Sequence, residues 1–421
     1  MKIRNRHAEF HDSSNLYSRP IMQPPRYSRI LPLAQLLKQK SFFLFGPRAS
    51  GKTTLIDSVL PDALVIDLLH TATYASLVRN PSALEEIIAA RSAQSSTHGR
   101  GASADHSSPQ IVVIDEVQKL PNILDEVQRL MHSRRITFLL TGSSARKLKH
   151  GGANLLAGRA REARLFPLTS AEIPQFDLIR YLNVGGLPAI YDSTEPNEDL
   201  AAYVDTYLRE EIKAEAVTRN IGAFAEFLDA IALCNGQEIQ YESLASDLQV
   251  SAGTVKNYLQ ILEDTLIGFR LPGFTATRKR KALVRSKHYL FDLGVTRHLA
   301  KGGEISAKSK AFGDAFEHFI VLELRAFLSY HRLRHELTYW RTTSLFEVDI
   351  IVGSTWAIEI KATEHPSDKH LRGLRALREE GICREYMLIC FCEHERLTSD
   401  GIRIIPWRVF LKGLWGGGII S

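Results

Sequence analysis

Apolar residues run unbroken through Phe42, Phe43, Leu44 and Phe45, stop at a short polar stretch bounded by Gly46 and Gly51, and give way to a helical pattern from Lys52. An unbroken run of this kind predicts a strand buried on both faces. Similar runs cover residues 63–68, residues 111–114 (closing on Asp115 and Glu116) and residues 136–140 (closing on Thr141, Gly142, Ser143 and Ser144). With helical stretches between them they predict an α/β fold, a parallel sheet flanked by helices. A short amphipathic helix is expected over residues 29–38, and a loop or insertion over the Ser/Gly/Ala/His-rich residues 91–110.

The period then changes. Residues 172–233 place Tyr203, Tyr207 and Leu208, and later Phe224, Phe227, Leu228 and Ile231, at helical spacing, which reads as a helical lid. Residues 237–271 read as a helix-turn-helix with Leu244, Ala245, Leu248, Val250, Val255, Leu259 and Leu262 inward. Thr254, Lys256, Asn257 and Gln260 are left outward, and a wing is expected near residues 267–274. From residue 311 a helix over 313–324 precedes strands at 337–342, 346–352 and 356–362, a helix at 368–380, and strands at 386–391 and 402–409. The expected domains are a flexible arm (1–28), a first α/β domain (29–170), a helical lid or linker (171–235), a winged helix (236–300) and a last α/β domain (301–421).

A chain of 421 residues has room for these units, at a prior of roughly 150 residues per domain. No apolar run approaches the ~20 residues needed to cross a bilayer, and the first ten residues lack the apolar core of a secretory signal, so no membrane partner and a cytoplasmic location are expected. Cys234, Cys383, Cys390 and Cys392 fit a reducing compartment, and their spacing with His394 is not that of a zinc site. The formal charge of +6 leans toward anionic partners. Its local concentration, Arg278, Lys279, Arg280 and Lys281 with Arg285 and Lys287 after them, reads as a phosphate footprint beside the winged helix, with DNA the favoured nucleic acid.

The stretch Gly46-Pro47-Arg48-Ala49-Ser50-Gly51-Lys52-Thr53-Thr54 has the spacing of a P-loop, and strand before and helix after are the context it requires. Its backbone N–H groups would face the phosphates of ATP at a helix N-terminus, Lys52 would reach the β- and γ-phosphates, and Thr53 would ligate Mg²⁺. Asp115 and Glu116 sit at a strand's carboxyl end, where ligands of open α/β sheets bind. Asp115 would hold the metal through water and Glu116 would polarise the attacking water. Ser143 or Ser144 is the candidate sensor of the γ-phosphate. Arg159 and Arg161 are candidates for stabilising transition-state charge, either within their own subunit or across a boundary in a homo-oligomer.

In the last domain Glu347 and Asp349 alternate with apolar residues, and Ile358-Glu359-Ile360-Lys361 follows on the next strand. An acid, a spacer and then E-x-K is the arrangement of restriction-endonuclease-like nucleases. Asp349, Glu359 and Glu317 would hold Mg²⁺, and Lys361 would orient water and stabilise charge at phosphorus.

The motifs G-P-R-A-S-G-K-T-T-L, I-D-E-V-Q-K-L-P, L-T-G-S-S-A, L-A-G-R, H-Y-L-F-D-L-G and G-D-A-F-E / E-V-D-I / I-E-I-K together resemble a large prokaryotic family of AAA-type ATPases. That family carries a C-terminal domain of unknown function with a restriction-endonuclease-like PD-(D/E)xK core. The resemblance implies ATP binding and hydrolysis through Lys52, Thr53, Asp115 and Glu116, and a nuclease-like fold around Glu317, Asp349, Glu359 and Lys361. Two readings follow from it: a DNA-directed ATPase that controls a nuclease, or a nucleotide-driven switch whose later domains bind partners without cutting.

Overall fold

The computed structural model describes residues 27–98, 110–133, 136–144, 156–208 and 221–420. Most of the expected arm (residues 1–26) and residues 99–109 of the expected loop lie outside them. Helix α1 (Leu33–Gln39) leads into β1 (Ser41–Phe45) and α2 (Lys52–Val59). Strand β2 (Leu64–Asp67), helices α3 (Thr71–Arg79) and α4 (Ala83–His98), β3 (Gln110–Asp115), α5 (Ile123–Ser133), β4 (Ile136–Gly142) and β5 (Ala160–Arg164) complete the first unit. Its strands are all parallel, in the order β2-β3-β4-β1-β5. Phe43, Phe45, Ile114, Phe138 and Leu140 enter one core, while Phe42, Leu44, Val113 and Leu139 enter another on the opposite face. Burial on both faces is why these strands read as continuous apolar runs.

Two expectations change here. Helix α4 continues to His98, so the first part of the expected loop is helical. The helix expected from residue 29 begins at Leu33, and Arg29 is buried ahead of it.

Helices α6 (Leu178–Val184), α7 (Pro188–Asp192) and α8 (Pro196–Ala202), a π-helical turn (Tyr203–Leu208) and α9 (Ile221–Leu233) follow. Then come β6 (Gln237–Glu238), α10 (Tyr241–Asp247), α11 (Ala252–Asp264), β7 (Gly268–Pro272) and β8 (Ser286–Leu290), the strands forming an antiparallel sheet in the order β6-β8-β7. Ser251 caps α11 by accepting from the Thr254 amide, and Val255, Tyr258, Leu259 and Leu262 turn inward. Lys256, Asn257 and Gln260 stay exposed and Thr254 half-buried, so α11 keeps the polar outer face that its sequence predicts. Next, Asp292 caps α12 (Leu293–Leu299) and also accepts from the Gly186 amide at 2.7 Å. A Cβ on Gly294 would stand 2.3 Å from the Val184 carbonyl oxygen, so this close helix approach needs glycine. The F-D-L-G motif is thus a docking joint between α12 and α6.

The last unit comprises α13 (Phe312–Tyr330), β9 (Leu337–Arg341), β10 (Glu347–Val352), β11 (Trp356–Ile360), α14 (Arg372–Arg378), β12 (Glu385–Cys390), β13 (Arg396–Leu397), β14 (Arg403–Pro406) and α15 (Trp407–Trp415). The strand expected through residue 409 ends at Pro406, and a helix takes over. The sheet order is β13-β14-β12-β11-β10-β9, antiparallel among β9, β10 and β11 and parallel among β11, β12 and β14. Between the pairs Val348–Trp340 and Ile351–Thr338, two residues of β10, Asp349 and Ile350, oppose one of β9, Tyr339, a bulge that places Asp349 at an irregular position.

The loop between β7 and β8 does not stand free. Phe274 and Leu283 pair through their backbones with Tyr339 and Arg341 of β9, Glu380 accepts from the Arg278 and Lys279 amides, and Arg280 pairs with Glu379 and Glu380. The expected phosphate footprint is corrected accordingly: Arg280 is committed to the last unit and Lys287 is buried, while Arg278, Lys279, Lys281 and Arg285 remain exposed.

Arg29 ties the units together. Its guanidinium donates to the Ser50 carbonyl (2.7 Å), the Phe166 carbonyl (2.6 Å), the Tyr330 hydroxyl (3.2 Å) and the Glu172 carboxylate (3.0 Å). Glu172 is fully covered, so removing one member of this pair leaves the other charge buried. An Arg29→Met chain is expected to lose roughly 3–5 kcal/mol of stability, read as a lowered urea midpoint. An unchanged midpoint would show that water compensates Glu172.

Candidate functional site

Two groups of side chains carry chemistry. The first lies at the carboxyl ends of β1, β3 and β4. The loop after β1 is drawn in by a hydrogen bond from the Gly46 amide to the Gly142 carbonyl (3.3 Å), and a Cβ on Gly46 would stand 2.6 Å from the Leu165 carbonyl oxygen. Residues 46–54 therefore curl tightly between β1 and α2, as a phosphate cradle must. Lys52 is buried at the start of α2, and its ammonium donates to the Gly46 and Pro47 carbonyls at 2.7 and 3.1 Å. The Ser50 hydroxyl is buried without a hydrogen-bond partner among the described residues. Thr53 and Thr54 are exposed on the first turn of α2. Tyr203 of the helical stretch donates to the Arg48 carbonyl.

Asp115 and Glu116 close β3. Thr141 of β4 donates from its hydroxyl to Asp115, and the same hydroxyl accepts from the Glu116 amide at 3.2 Å. Glu116 has a left-handed backbone (φ 58°), an unusual conformation for a residue with a side chain. Burial is the largest influence on its carboxyl and raises its proton affinity. Lys52 opposes this, Asp115 adds to it, and Arg48 and a hydrogen bond from Gln118 oppose it, leaving the carboxyl above its ordinary value. The Gly46–Gly142 hydrogen bond and the contacts of Thr141 with Asp115 and Glu116 set the P-loop beside the two acids. The donor set fits a magnesium–nucleotide: cations and N–H groups for phosphate, and Thr53 and Asp115 for the metal.

Gln118 is a member that the motifs did not reveal. Its amide donates to Glu116 (2.5 Å) and to the Ser143 hydroxyl (3.2 Å), linking the acid to the candidate sensor. The only hint was its place in I-D-E-V-Q, two residues past the acid. Ser144 is buried and donates to the Asp264 carbonyl at the end of α11, at 3.4 Å, so the two serines face different partners.

Arg159 and Arg161 are not brought to this site. Ala160 pairs with Ser41 and Arg161 with Phe42, at the opposite end of β1 from the loop, and both arginines are exposed. The geometry argues against a role in their own subunit's site and leaves the one across a subunit boundary.

The second group gathers on the last sheet. Lys361 donates to Asp349 (3.2 Å) and to Glu359 (2.7 Å), so these carboxylates converge as their spacing predicts. Asp349 also accepts from the Ile360 amide at 2.7 Å. Glu317 of α13 joins them through charge: burial first, and then Asp349, raises its proton affinity. Glu359 is pushed well above the usual range by burial and then by Asp349. Two unexpected members come from β8: Lys287 pairs with Glu317 (3.2 Å) and Glu347 (2.8 Å), and Tyr289 donates to Glu317 (2.7 Å). Among the described residues no three His, Cys, Asp or Glu side chains are disposed to hold a metal ion. The carboxylates have the right chemistry for Mg²⁺, but in this arrangement two ammonium groups occupy the space between them, so the donor set does not fit a metal as it stands.

Residues 38–174 match the family described as an AAA domain, and residues 175–306 and 312–410 match two domains of unknown function, DUF8612 and DUF4143. An uncharacterized protein of Mycobacterium tuberculosis is 27% identical over 375 residues, 86% of this chain and 79% of the relative. One of Haemophilus influenzae is 23% identical over 235 residues, 50% of this chain and 56% of the relative. Among solved structures, the Aeropyrum pernix ORC2 protein in its ADP form aligns at TM-score 0.32 and 14% identity, covering 59% of this chain and 89% of that one. The Aeropyrum pernix ORC1 protein in complex with DNA aligns at TM-score 0.25 and 13% identity, covering 65% and 91%. The matched segment, the parallel sheet and its loop make residues 38–174 an AAA-type, ATP-binding P-loop domain. Among the described residues no helix is long and apolar enough to cross a membrane.

Lys52→Ala is expected to abolish binding of a fluorescent ATP analogue; retained binding would remove Lys52 from the site. Gln118→Leu is expected to keep that binding but lower turnover by about tenfold. Because the lost hydrogen bond had favoured the ionised acid, the acid limb of the pH–rate profile should move to higher pH. An unmoved limb would reduce Gln118 to packing.

Proposed function

We propose that this chain is an ATP-hydrolysing switch in which the nucleotide state of the P-loop sets the position of a DNA-binding winged helix and of a nuclease-like last domain. One observation carries the reading: a single buried guanidinium, Arg29, holds both the Ser50 carbonyl of the P-loop and the Tyr330 hydroxyl of α13. A shift of the loop around phosphate is thereby felt by the helix that bears Glu317. The contact of Ser144 with Asp264 gives α11 a second route to the same site.

In this reading residues 46–54 cradle the phosphates of ATP, and Thr53 and Asp115 would hold Mg²⁺, which neutralises phosphate charge. Lys52 stabilises charge at the γ-phosphate, Glu116 orients and deprotonates the attacking water, and Gln118 with Ser143 holds that acid in place. Arg159 or Arg161 serves a neighbouring copy in a homo-oligomer. Helix α9, β6, α10, α11, β7 and β8 follow one another in the order of a winged helix, and the exposed Lys256, Asn257 and Gln260 on α11 supply a groove-reading face, with Arg278, Lys279, Lys281 and Arg285 beside it for phosphates. The order helix, antiparallel strands, helix and parallel strand in the last domain supports a restriction-endonuclease-like fold. The convergence of Asp349, Glu359 and Lys361 favours a nucleolytic ancestry for it, while the ion pairs there favour partner binding without cleavage in the docked state.

The test is duplex-DNA binding by fluorescence anisotropy with and without ATP, comparing wild type, Lys256→Glu and Arg29→Met. Binding weakened roughly tenfold in Lys256→Glu, and an ATP response present in wild type but lost in folded Arg29→Met, are expected. DNA binding unaffected by ATP would break the coupling, and no binding at all would leave a switch with protein partners.

A further inference from the structure

We propose that Lys287 of β8 occupies the cation position of the acid cluster in the last domain, so that the winged helix acts as a plug and a divalent metal can enter only when β8 withdraws. The inference rests on the nuclease-like reading of that domain but concerns metal access, which is measured without any cleavage.

The cluster draws Glu317 from α13, Glu347 and Asp349 from β10, and Glu359 from β11. Lys361 belongs to the same domain and serves Asp349 and Glu359. Among the described residues Glu317 has no ion-pair partner from the last unit, and Glu347 has only Arg341 of β9, at 3.7 Å; their closest cation is the Lys287 ammonium, which arrives from β8 in a different unit of the chain. Lys287 is 5% exposed, its Nζ also lies 5.3 Å from the centre of the Tyr339 ring, and Tyr289, two residues on and on the same face of β8, donates to the very Glu317 oxygen that Lys287 holds. One oxygen of Glu359 is still buried without a hydrogen-bond partner among the described residues, so the acids have acceptor capacity beyond what the two lysines use.

A hard divalent cation seeks this kind of oxygen set and competes directly with a lysine for it. An ammonium neutralises the acids but carries one charge and offers no open coordination position to a phosphoryl oxygen or a water. Withdrawing β8 would free Glu317 and leave Glu347 only its longer contact with Arg341. The loop before β8, docked on β9 and Glu380, would have to move with it, which ties metal entry to the same interface that the nucleotide switch would act on.

The experiment is Mn²⁺ titration of the full nucleotide-free chain, read by electron paramagnetic resonance, in wild type, Asp349→Asn, Lys287→Met and the Lys287→Met/Asp349→Asn pair. Circular dichroism and the binding of a fluorescent ATP analogue report folding. Wild type is expected to show no Asp349-dependent Mn²⁺ site up to about 1 mM, and Lys287→Met to gain one at least roughly tenfold tighter. Lys287→Arg should restore the closed state. Asp349-dependent binding by wild type as tight as in Lys287→Met would overturn the proposal, as would a folded Lys287→Met with no site. Should Lys287→Met fail to fold, the wild-type titration decides alone: a tight Asp349-dependent site sinks the plug and its absence upholds it. A plug that is confirmed while DNA remains uncut by Lys287→Met with Mn²⁺ would leave metal gating intact and remove only the nuclease reading.

Discussion

A buried arginine paired with a buried glutamate is an expensive way to join protein segments, because both charges must leave water before they can attract each other. Arg29 and Glu172 bear that cost at the point where the P-loop, the end of β5 and the helix α13 meet. The arrangement holds only if every donor of the guanidinium finds an acceptor, and the acceptors come from segments more than a hundred residues apart in sequence. Glu172 in turn accepts from the Ile30 and Thr169 amides, and Tyr330 accepts from the Phe166 amide. The geometry of the P-loop is therefore fixed partly by residues outside the ATPase domain. Such a joint is stiff and specific, which suits the transmission of a small displacement better than an apolar contact that can slide.

The same logic governs the last domain. Glu323, in the middle of α13, is held by the Ser170 amide and hydroxyl and by the Trp415 indole, and burial still pushes its carboxyl up to about 7. Ala326, Tyr330 and Trp415 enter the core on one face of the ATPase sheet, so the end of α13 is part of two domains at once. One continuous apolar cluster runs from Leu168 through the helical stretch and the elements from α9 to β8 to Ile420. Units linked in this way do not move as beads on a string. Their relative motion has to occur where the contacts are polar and exchangeable, and the loop before β8 with its backbone pairing and carboxylate contacts is such a place.

How far the sequence foretold this follows from the range of each interaction. The strands of the ATPase sheet were legible because burial on both faces leaves a continuous apolar signature, and the P-loop because phosphate binding demands fixed spacing. Asp349, Glu359 and Lys361 were legible as a set because strand alternation puts them on one side. The short-range pattern fails where the partner is remote. Arg29 looked like the first residue of an amphipathic helix, and nothing nearby announces that Glu172 awaits it. Lys287 looked like the tail of a basic run, since the acids it meets lie 30 and 60 residues further on. Arg280 failed as a phosphate contact for the same reason: its carboxylates come from the far end of α14.

The remote ion-pair partners of this basic run are all carboxylates, and that bears on how the molecule works. A basic run that sequence assigns to nucleic acid is used in part to hold the loop between β7 and β8 on an acidic face of the same chain. Duplex DNA and the last domain thus present the same kind of surface, fixed negative charge, to neighbouring lysines and arginines. Winning the exposed cations of this loop for DNA would weaken the hold of the others on Glu379 and Glu380, because the residues involved are adjacent in the backbone. In the proposed reading, binding of DNA and release of β8 are two sides of one competition, with the nucleotide site able to bias it through Arg29.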